Sequence, residues 1–190
     1  MDYKLYQKTR DLAWEILLRE GVCALPVDVV ALCRRLGIRV VEYADPYPEV
    51  GDGFSVIIDG VPQICIERGK PLRRTRFTIA HELGHILLGH VGTHQPVNRE
   101  PSPGDDPIEQ AANVFAARLL APACVLWGCG VHAAAEIAAL CGISDTAAGY
   151  RWERMQILLE RGKFCTSPIE RRVYHQLSDF ILNYRRRRER

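Results

Sequence analysis

The sequence predicts an α+β protein: helices around a small sheet that contains antiparallel strands, followed by a helical C-terminal region. Apolar residues recur at helical spacing through most of the chain, in segments that end at glycine or proline. Two β-rich runs, 54–58 and 61–66, are separated by the dipeptide Asp59-Gly60, which is a strong hairpin signal. After this hairpin, every periodic segment has the helical period, so we expect the sheet to lie in the first half of the chain.

The composition is that of an ordinary soluble protein, with 47% hydrophobic residues, 25% charged residues and a formal net charge of +2. This balance gives no charge excess that would favour nucleic acid or a membrane surface. The N-terminus has no signal-peptide core and no run reaches transmembrane length, so we expect a cytoplasmic protein without a membrane partner. Seven cysteines, with no Cys-x-x-Cys pair, indicate reduced thiols rather than a disulfide framework or a structural zinc site.

The first 43 residues predict two helices and a strand. Residues 3–20 have one apolar side and end at Gly21, which indicates a first helix. A second apolar pattern runs over residues 29–36 and ends at Gly37. The β-rich run 38–43 follows and predicts a strand.

The hairpin that follows contains Pro62, which cannot donate to a strand ladder. Proline in a strand predicts that the strand lies at a sheet edge. An exposed edge can hold an extended peptide by strand addition. The competing interpretation is that the proline only prevents other chains from pairing with this edge strand.

The segment 78–89 contains the pattern His-Glu-x-x-His within an apolar helical run. His81 and His85 are one helical turn apart, so both imidazoles project from one face and can hold the same ion. Glu82 lies where a zinc-dependent hydrolase keeps the base that deprotonates its attacking water. The alternative is a buried helix with two hydrogen-bonded histidines.

The residues around this motif have structural interpretations. Ile79, Leu83 and Ile86 form an apolar stripe that predicts a core face, and Gly84 permits close approach of another backbone. Three arginines are interpreted as a solvated surface that precedes the helix: Arg73, Arg74 and Arg76.

The polar, proline-containing stretch 92–106 is interpreted as a mobile loop over or beside a cleft. His90 and His94 do not fall at the positions that metzincins use for a third histidine ligand. We therefore interpret both as loop histidines.

A catalytic zinc held by two histidines needs a third protein ligand and an open position for water. Glu109 is the best candidate, on a helix that Asp106 can cap, and it shares a small polar face with Ala112, Asn113 and Ala116. The competing interpretation is that Asp106 and Glu109 form a capping box, in which Glu109 only binds backbone. Spacing does not decide between the two.

The last third of the chain predicts a helix, a glycine turn and a serine-capped helix over residues 134–148, which is a helix-turn-helix outline. The second helix begins with Asp145 and small residues rather than with side chains that read bases, so we favour a packing role. Further helices are predicted over 151–163 and 168–184. The arginines at 185–188 are interpreted as a solvated, frayed end, with contact to nucleic acid or an acidic partner as the minority interpretation.

The His-Glu-x-x-His pattern and the segment 109–122 together resemble the ImmA/IrrE family of metallo-endopeptidases, with a likeness over roughly residues 25–151. The family usually has Glu-x-Glu-Ala-Asn, whereas this chain has alanine at position 111 in place of the second glutamate. The resemblance implies a zincin-like metallopeptidase core with His81, His85 and Glu109 on Zn2+ and with Glu82 catalytic. We predict a zincin-like metallopeptidase domain over residues 1–125 and a helical C-terminal region over 126–190.

The resemblance further implies a zinc-dependent endopeptidase that cleaves a specific regulatory protein, such as the transcriptional repressor of a mobile element or prophage. The alternative is a regulator that binds DNA or a partner protein through its C-terminal helices, with a structural or vestigial metal site.

Overall fold

The computed structural model describes residues 2–44, 51–92 and 106–189. The elements in these ranges confirm the predicted α+β class. In chain order they are α1 (Tyr3–Arg19), α2 (Val29–Arg35), β1 (Arg39–Tyr43), β2 (Gly53–Ile58), β3 (Val61–Glu67), α3 (Leu72–Leu87), α4 (Pro107–Leu120), α5 (Ala123–Gly128), α6 (Ala134–Cys141), α7 (Asp145–Glu160), α8 (Pro168–Gln176) and α9 (Ser178–Arg188).

Two compact units divide the chain. The first comprises Met1–Arg10 and Asp28–Ala116, and the second comprises Asp11–Val27 and Ala117–Arg190. The sheet and helix α3 belong to the first unit, and the helices from α5 onward belong to the second. These units are defined by contacts within the chain, whereas a domain is a part with a core of its own that could fold alone. The predicted domains, 1–125 and 126–190, therefore stay a prediction.

The three described strands form one mixed sheet in the order β1-β3-β2. β1 runs parallel to β3, and β2 runs antiparallel to it. The Asp59-Gly60 turn has positive φ at both residues, 50° and 76°, which is the backbone of a type I′ hairpin. The predicted hairpin is therefore confirmed.

The prediction that Pro62 marks an edge strand is wrong, because β3 is the central strand of the described sheet. The pairing between β1 and β3 begins at Gln63, opposite Arg39. Pro62 therefore lies beyond the end of β1, where a missing N–H removes no hydrogen bond to that strand. The edges of the described sheet are β1 and β2.

Helix α3 packs closely on β2 and β3. A Cβ atom added to Gly53 of β2 would lie 2.7 Å from Cγ2 of Thr78 on the helix, so only glycine permits this approach. The predicted apolar stripe is core at Ile79 and Leu83, which are buried, whereas Ile86 is half-buried.

The three arginines before the motif lie within α3, which begins at Leu72, and not ahead of it. Arg74 forms an ion pair with Asp52, and Lys70 pairs with the same carboxylate at 3.4 Å. Such partly exposed surface pairs contribute about 0–1 kcal/mol each, so they orient the start of the helix more than they stabilise it.

In the second unit, α6 and α7 form the predicted helix, glycine turn and serine-capped helix. Gly142 has the left-handed φ of 62° that ends α6, and the Ser144 hydroxyl accepts a hydrogen bond from the amide of Ala147. Ile137 and Ala148 are buried where the two helices pack together. The burial of Ile137 and Ala148 supports the packing role, while Asp145 is exposed at the start of α7.

The C-terminal arginines, 185–188, form the last turn of α9, and all four are exposed, as the predicted solvated end requires. Arg188 donates hydrogen bonds to both carboxylate oxygens of Glu136, at 2.9 and 3.2 Å, and to the carbonyl of Gly130 at 2.9 Å. The side chain therefore ties the end of α9 to the start of α6.

One stretch of the described chain, Pro107–Gly128, is long and apolar enough to span a membrane by length and composition, with a mean hydropathy of 1.4. Of its most apolar window, 78% is buried inside the protein. Such burial is that of a core helix in a soluble domain.

The described cysteines are free, and burial sets the chemistry of several of them. Burial raises the pKa of the Cys33 thiol to about 12 and that of Cys129 to about 11. Burial also raises the pKa of Cys124, with the nearby Glu170 adding to the effect. These thiols therefore stay protonated and unreactive at neutral pH.

Candidate metal centre

The two histidines of α3 meet at their Nε2 atoms, as the predicted one-turn spacing requires. The Nε2 atoms of His81 and His85 are 3.0 Å apart. The His85 side chain is fully buried, and 13% of the His81 side chain is exposed. The imidazole pair therefore opens to solvent on the His81 side.

The first turn of α4 brings Glu109 to this pair. Its Oε2 lies 3.2 Å from Nε2 of His81, and its Oε1 lies 3.5 Å from Nε2 of His85. Asp106 caps the helix separately, because its Oδ1 accepts a hydrogen bond from the amide of Ile108 at 2.8 Å. The carboxylate of Glu109 is thus at the histidine pair, while a different residue caps α4.

Small residues allow α3 and α4 to approach each other. A Cβ atom added to Gly84 would lie 3.1 Å from Cβ of Phe115, which is fully buried on α4. Ala111 and Ala112 of α4 are also fully buried. Gly84 thus permits the close approach of α4 through the side chain of Phe115, and this approach carries Glu109 towards the histidines.

The outer nitrogen of each histidine also has a partner. Nδ1 of His81 lies 3.0 Å from Oδ1 of Asn113, which can only accept, so the imidazole donates from Nδ1. Nδ1 of His85 lies 3.2 Å from Nδ1 of His90. With its proton on Nδ1, His81 directs the lone pair of Nε2 towards Nε2 of His85 and the carboxylate of Glu109, as a metal ligand must.

His90 lies beyond the end of α3, as expected for a loop histidine, but its ring packs against His85 with ring centroids 5.1 Å apart. Asn113 follows Glu109 by one helical turn on the same small polar face, so the sequence could have indicated that Asn113 also lies near the histidines. Residues 93–105, which include His94 and most of the predicted loop, lie outside the described residues.

Glu82 is 1% exposed and points away from solvent, towards β2. Its Oε2 accepts a hydrogen bond of 2.6 Å from the hydroxyl of Ser55, which is 2% exposed. Burial, and secondarily the charge of Glu82, raise the pKa of the nearby Cys65 thiol. No motif indicated Ser55; the only signal was a polar residue at an inward position of β2.

The geometry of the three side chains fits a transition-metal ion. All the ligand atoms of His81, His85 and Glu109 lie within 4.8 Å of one another. Ligand atoms at the usual distances from a tetrahedral zinc ion are roughly 3.3–3.5 Å apart, close to the separations observed here. Imidazole and carboxylate ligands also suit zinc chemically. The described site could therefore hold a divalent metal.

A family model described as Peptidase_M78, IrrE N-terminal-like domain, matches residues 33–153. The matched range contains all three potential ligands, Glu82 and Ser55. No curated protein matches the chain.

Proposed function

Because this family model matches more than half of its residues, the chain belongs to the IrrE N-terminal-like peptidase family, and we propose that it is a zinc-dependent endopeptidase. Membership of this family makes the chain a metallopeptidase-like protein and implies a protein substrate in general. The convergence of His81, His85 and Glu109 on one point is the observation that carries the proposal.

In the proposed reaction, His81, His85 and Glu109 hold the ion and Glu82 moves the proton. Zinc, when bound, polarises the scissile carbonyl and lowers the pKa of a bound water. Glu82 accepts the proton of the attacking water and passes it to the leaving amine. The burial of Glu82 supports this role, because interactions between charges are stronger where bulk water is excluded.

Edge strand β2 is the proposed binding strand for the substrate. It carries Ser55, which contacts Glu82, so a peptide added along this edge would pass close to the site. An edge strand supplies main-chain hydrogen bonds to an extended peptide, and these bonds depend little on sequence.

The proposed substrate is a cytoplasmic regulatory protein, in particular the transcriptional repressor of a mobile element or prophage. The resemblance to the ImmA/IrrE family supports this choice. We propose that the enzyme acts in the cytoplasm, where such a target would be, and without a membrane partner. The products of neighbouring genes are the first substrates to test.

The alternative is a DNA- or partner-binding regulator with a structural or vestigial metal site. A recognition helix needs donors such as arginine or asparagine at its exposed start. The exposed residues there are Asp145, Thr146 and Tyr150. Nucleic-acid binding is therefore the less favoured function.

Removal of the metal tests the proposed activity. We expect the purified protein to cleave a repressor encoded beside its gene, and 1,10-phenanthroline to abolish the cleavage, because the attacking water would lose its activating ion. Restoring one equivalent of zinc should restore the rate. The non-chelating isomer 1,7-phenanthroline is the control; cleavage by protein shown by elemental analysis to be metal-free would refute the proposal.

Replacing Asn113 with alanine is expected to weaken zinc binding by roughly tenfold to a hundredfold, as loss of an orienting hydrogen bond to a ligand histidine commonly does. Asn113 is exposed, so we expect a value near the lower limit. Affinity is measured by competition with a chelating dye. The variant Asn113→Asp keeps an acceptor for Nδ1 of His81 and should retain the affinity, whereas equal affinities in all three proteins would contradict the orienting role.

A further inference from the structure

We propose that Ser55 is the positioning residue for the catalytic carboxylate: its hydroxyl holds Oε2 of Glu82, so that the rest of the carboxylate faces the attacking water. This inference rests on the proposed function of Glu82. Ser55 keeps its own proton throughout; the proton that moves goes from water to Glu82 and then to the leaving amine.

The contact itself has the geometry of a strong hydrogen bond. The hydroxyl of Ser55 donates to Oε2 of Glu82, and the two oxygen atoms are 2.6 Å apart, at the short end of the range for an O–H donor. Ser55 and Glu82 are both nearly inaccessible, and water therefore does not compete for this bond.

The fold places these two side chains together through a second contact nearby. Gly53 of β2 meets Thr78 of α3, and the added Cβ described above shows that this approach leaves no spare room. Ser55 follows Gly53 by two strand residues, about 6.7 Å along β2. Glu82 follows Thr78 by four helical residues, about 6.0 Å along α3. Because these two distances are nearly equal, the packing of Gly53 against Thr78 brings Ser55 opposite Glu82.

The strand side of the contact is also fixed. Ser55 pairs with Ile64 of the central strand β3, and Ile64 is fully buried. A serine has one side-chain torsion before its hydroxyl, so a fixed strand backbone leaves the donor few positions. The long glutamate side chain is thereby held by a short one on a rigid element, which is the arrangement a catalytic base needs.

Three variants at position 55 test the proposal. Ser55→Ala removes the donor and is expected to lower kcat by about tenfold to a hundredfold, the effect of losing a hydrogen bond to a charged group, with KM changed less than about twofold. Zinc affinity should not change, because Ser55 contacts Glu82 rather than a ligand.

The matched pair Ser55→Thr and Ser55→Val separates positioning from packing. Threonine and valine have nearly the same shape and both suit a strand, but only threonine carries a hydroxyl. We expect the threonine variant to have the higher kcat by about tenfold. Equal kcat values for the two variants, with both proteins folded, would overturn the proposal.

A double-mutant cycle on metal-free protein gives a readout that needs no activity. We expect Ser55→Ala to lower Tm by more in the native background than in the Glu82→Ala background, because the hydrogen bond exists only in the former. Additive changes in Tm would overturn the proposal. An inactive Glu82→Gln variant beside a fully active Ser55→Ala variant would refute the role of Ser55 and leave the proposed peptidase function intact.

Discussion

Replacing Glu82 with glutamine is expected to abolish peptide cleavage while the protein still binds zinc. Glutamine has the size of glutamate and keeps an oxygen that can accept from Ser55, but its amide cannot take up a proton from water. Loss of a general base commonly costs about 10²–10⁴-fold in rate. Cleavage of the candidate repressor, followed by mass spectrometry of the products, measures the effect, and elemental analysis measures the bound zinc.

The matched control for this variant is Glu42→Gln. Glu42 lies on β1 in the same unit, is exposed and pairs with Arg68 at 3.3 Å, so the same chemical change occurs away from the metal centre. We expect it to cleave at the native rate. Native cleavage by Glu82→Gln would show that Glu82 is not the base, and unchanged regulatory output from that variant in cells would favour the DNA- or partner-binding regulator.

Replacing Glu109 with alanine is expected to remove most of the zinc and, with it, the activity. The variant leaves two imidazoles, which is one ligand fewer than a catalytic zinc ordinarily has. We expect the fall in affinity to exceed the roughly tenfold to hundredfold loss caused by removing a hydrogen bond to a ligand. Titration against a chelator of known affinity measures it, with the cleavage assay as the second readout.

Asp106→Ala is the control that separates the ligand from the helix cap. Asp106 accepts from the amide of Ile108 at the start of α4, so its loss should lower the free energy of unfolding by about 0.5–2 kcal/mol. It should leave zinc affinity nearly unchanged. If Glu109→Ala behaved like Asp106→Ala, with lower stability but native affinity, Glu109 would be a capping residue and the proposed centre would lack its third ligand.

The described contacts show that the proposed centre depends on more residues than the three ligands. Asn113 and His90 contact the outer nitrogens of the histidines, and Ser55 contacts the proposed base. Each of these partners limits the rotation of a side chain whose direction matters for chemistry. Changes at these positions are therefore expected to affect affinity or rate before they affect the fold.

Several features could be predicted because their causes are local. The Asp59-Gly60 turn follows from the positive φ values that these residues tolerate, and the hairpin register follows from the turn. The shared face of His81 and His85 follows from the helical period. The order of the strands could not be predicted in the same way, since Pro62 reports a missing donor but not which neighbouring strand ends before it.

The amino-acid sequence by itself determined the α+β class, the hairpin, the histidine pair and the candidate carboxylates, because these depend on backbone preferences and on spacing within one element. Only the tertiary structure decided that Glu109, rather than a cap alone, meets the histidines, and that Ser55 meets Glu82. Those contacts join residues 24–28 and 27 positions apart on different elements. They depend on how closely Gly84 lets α4, and Gly53 lets β2, approach α3, and no local pattern encodes such distances.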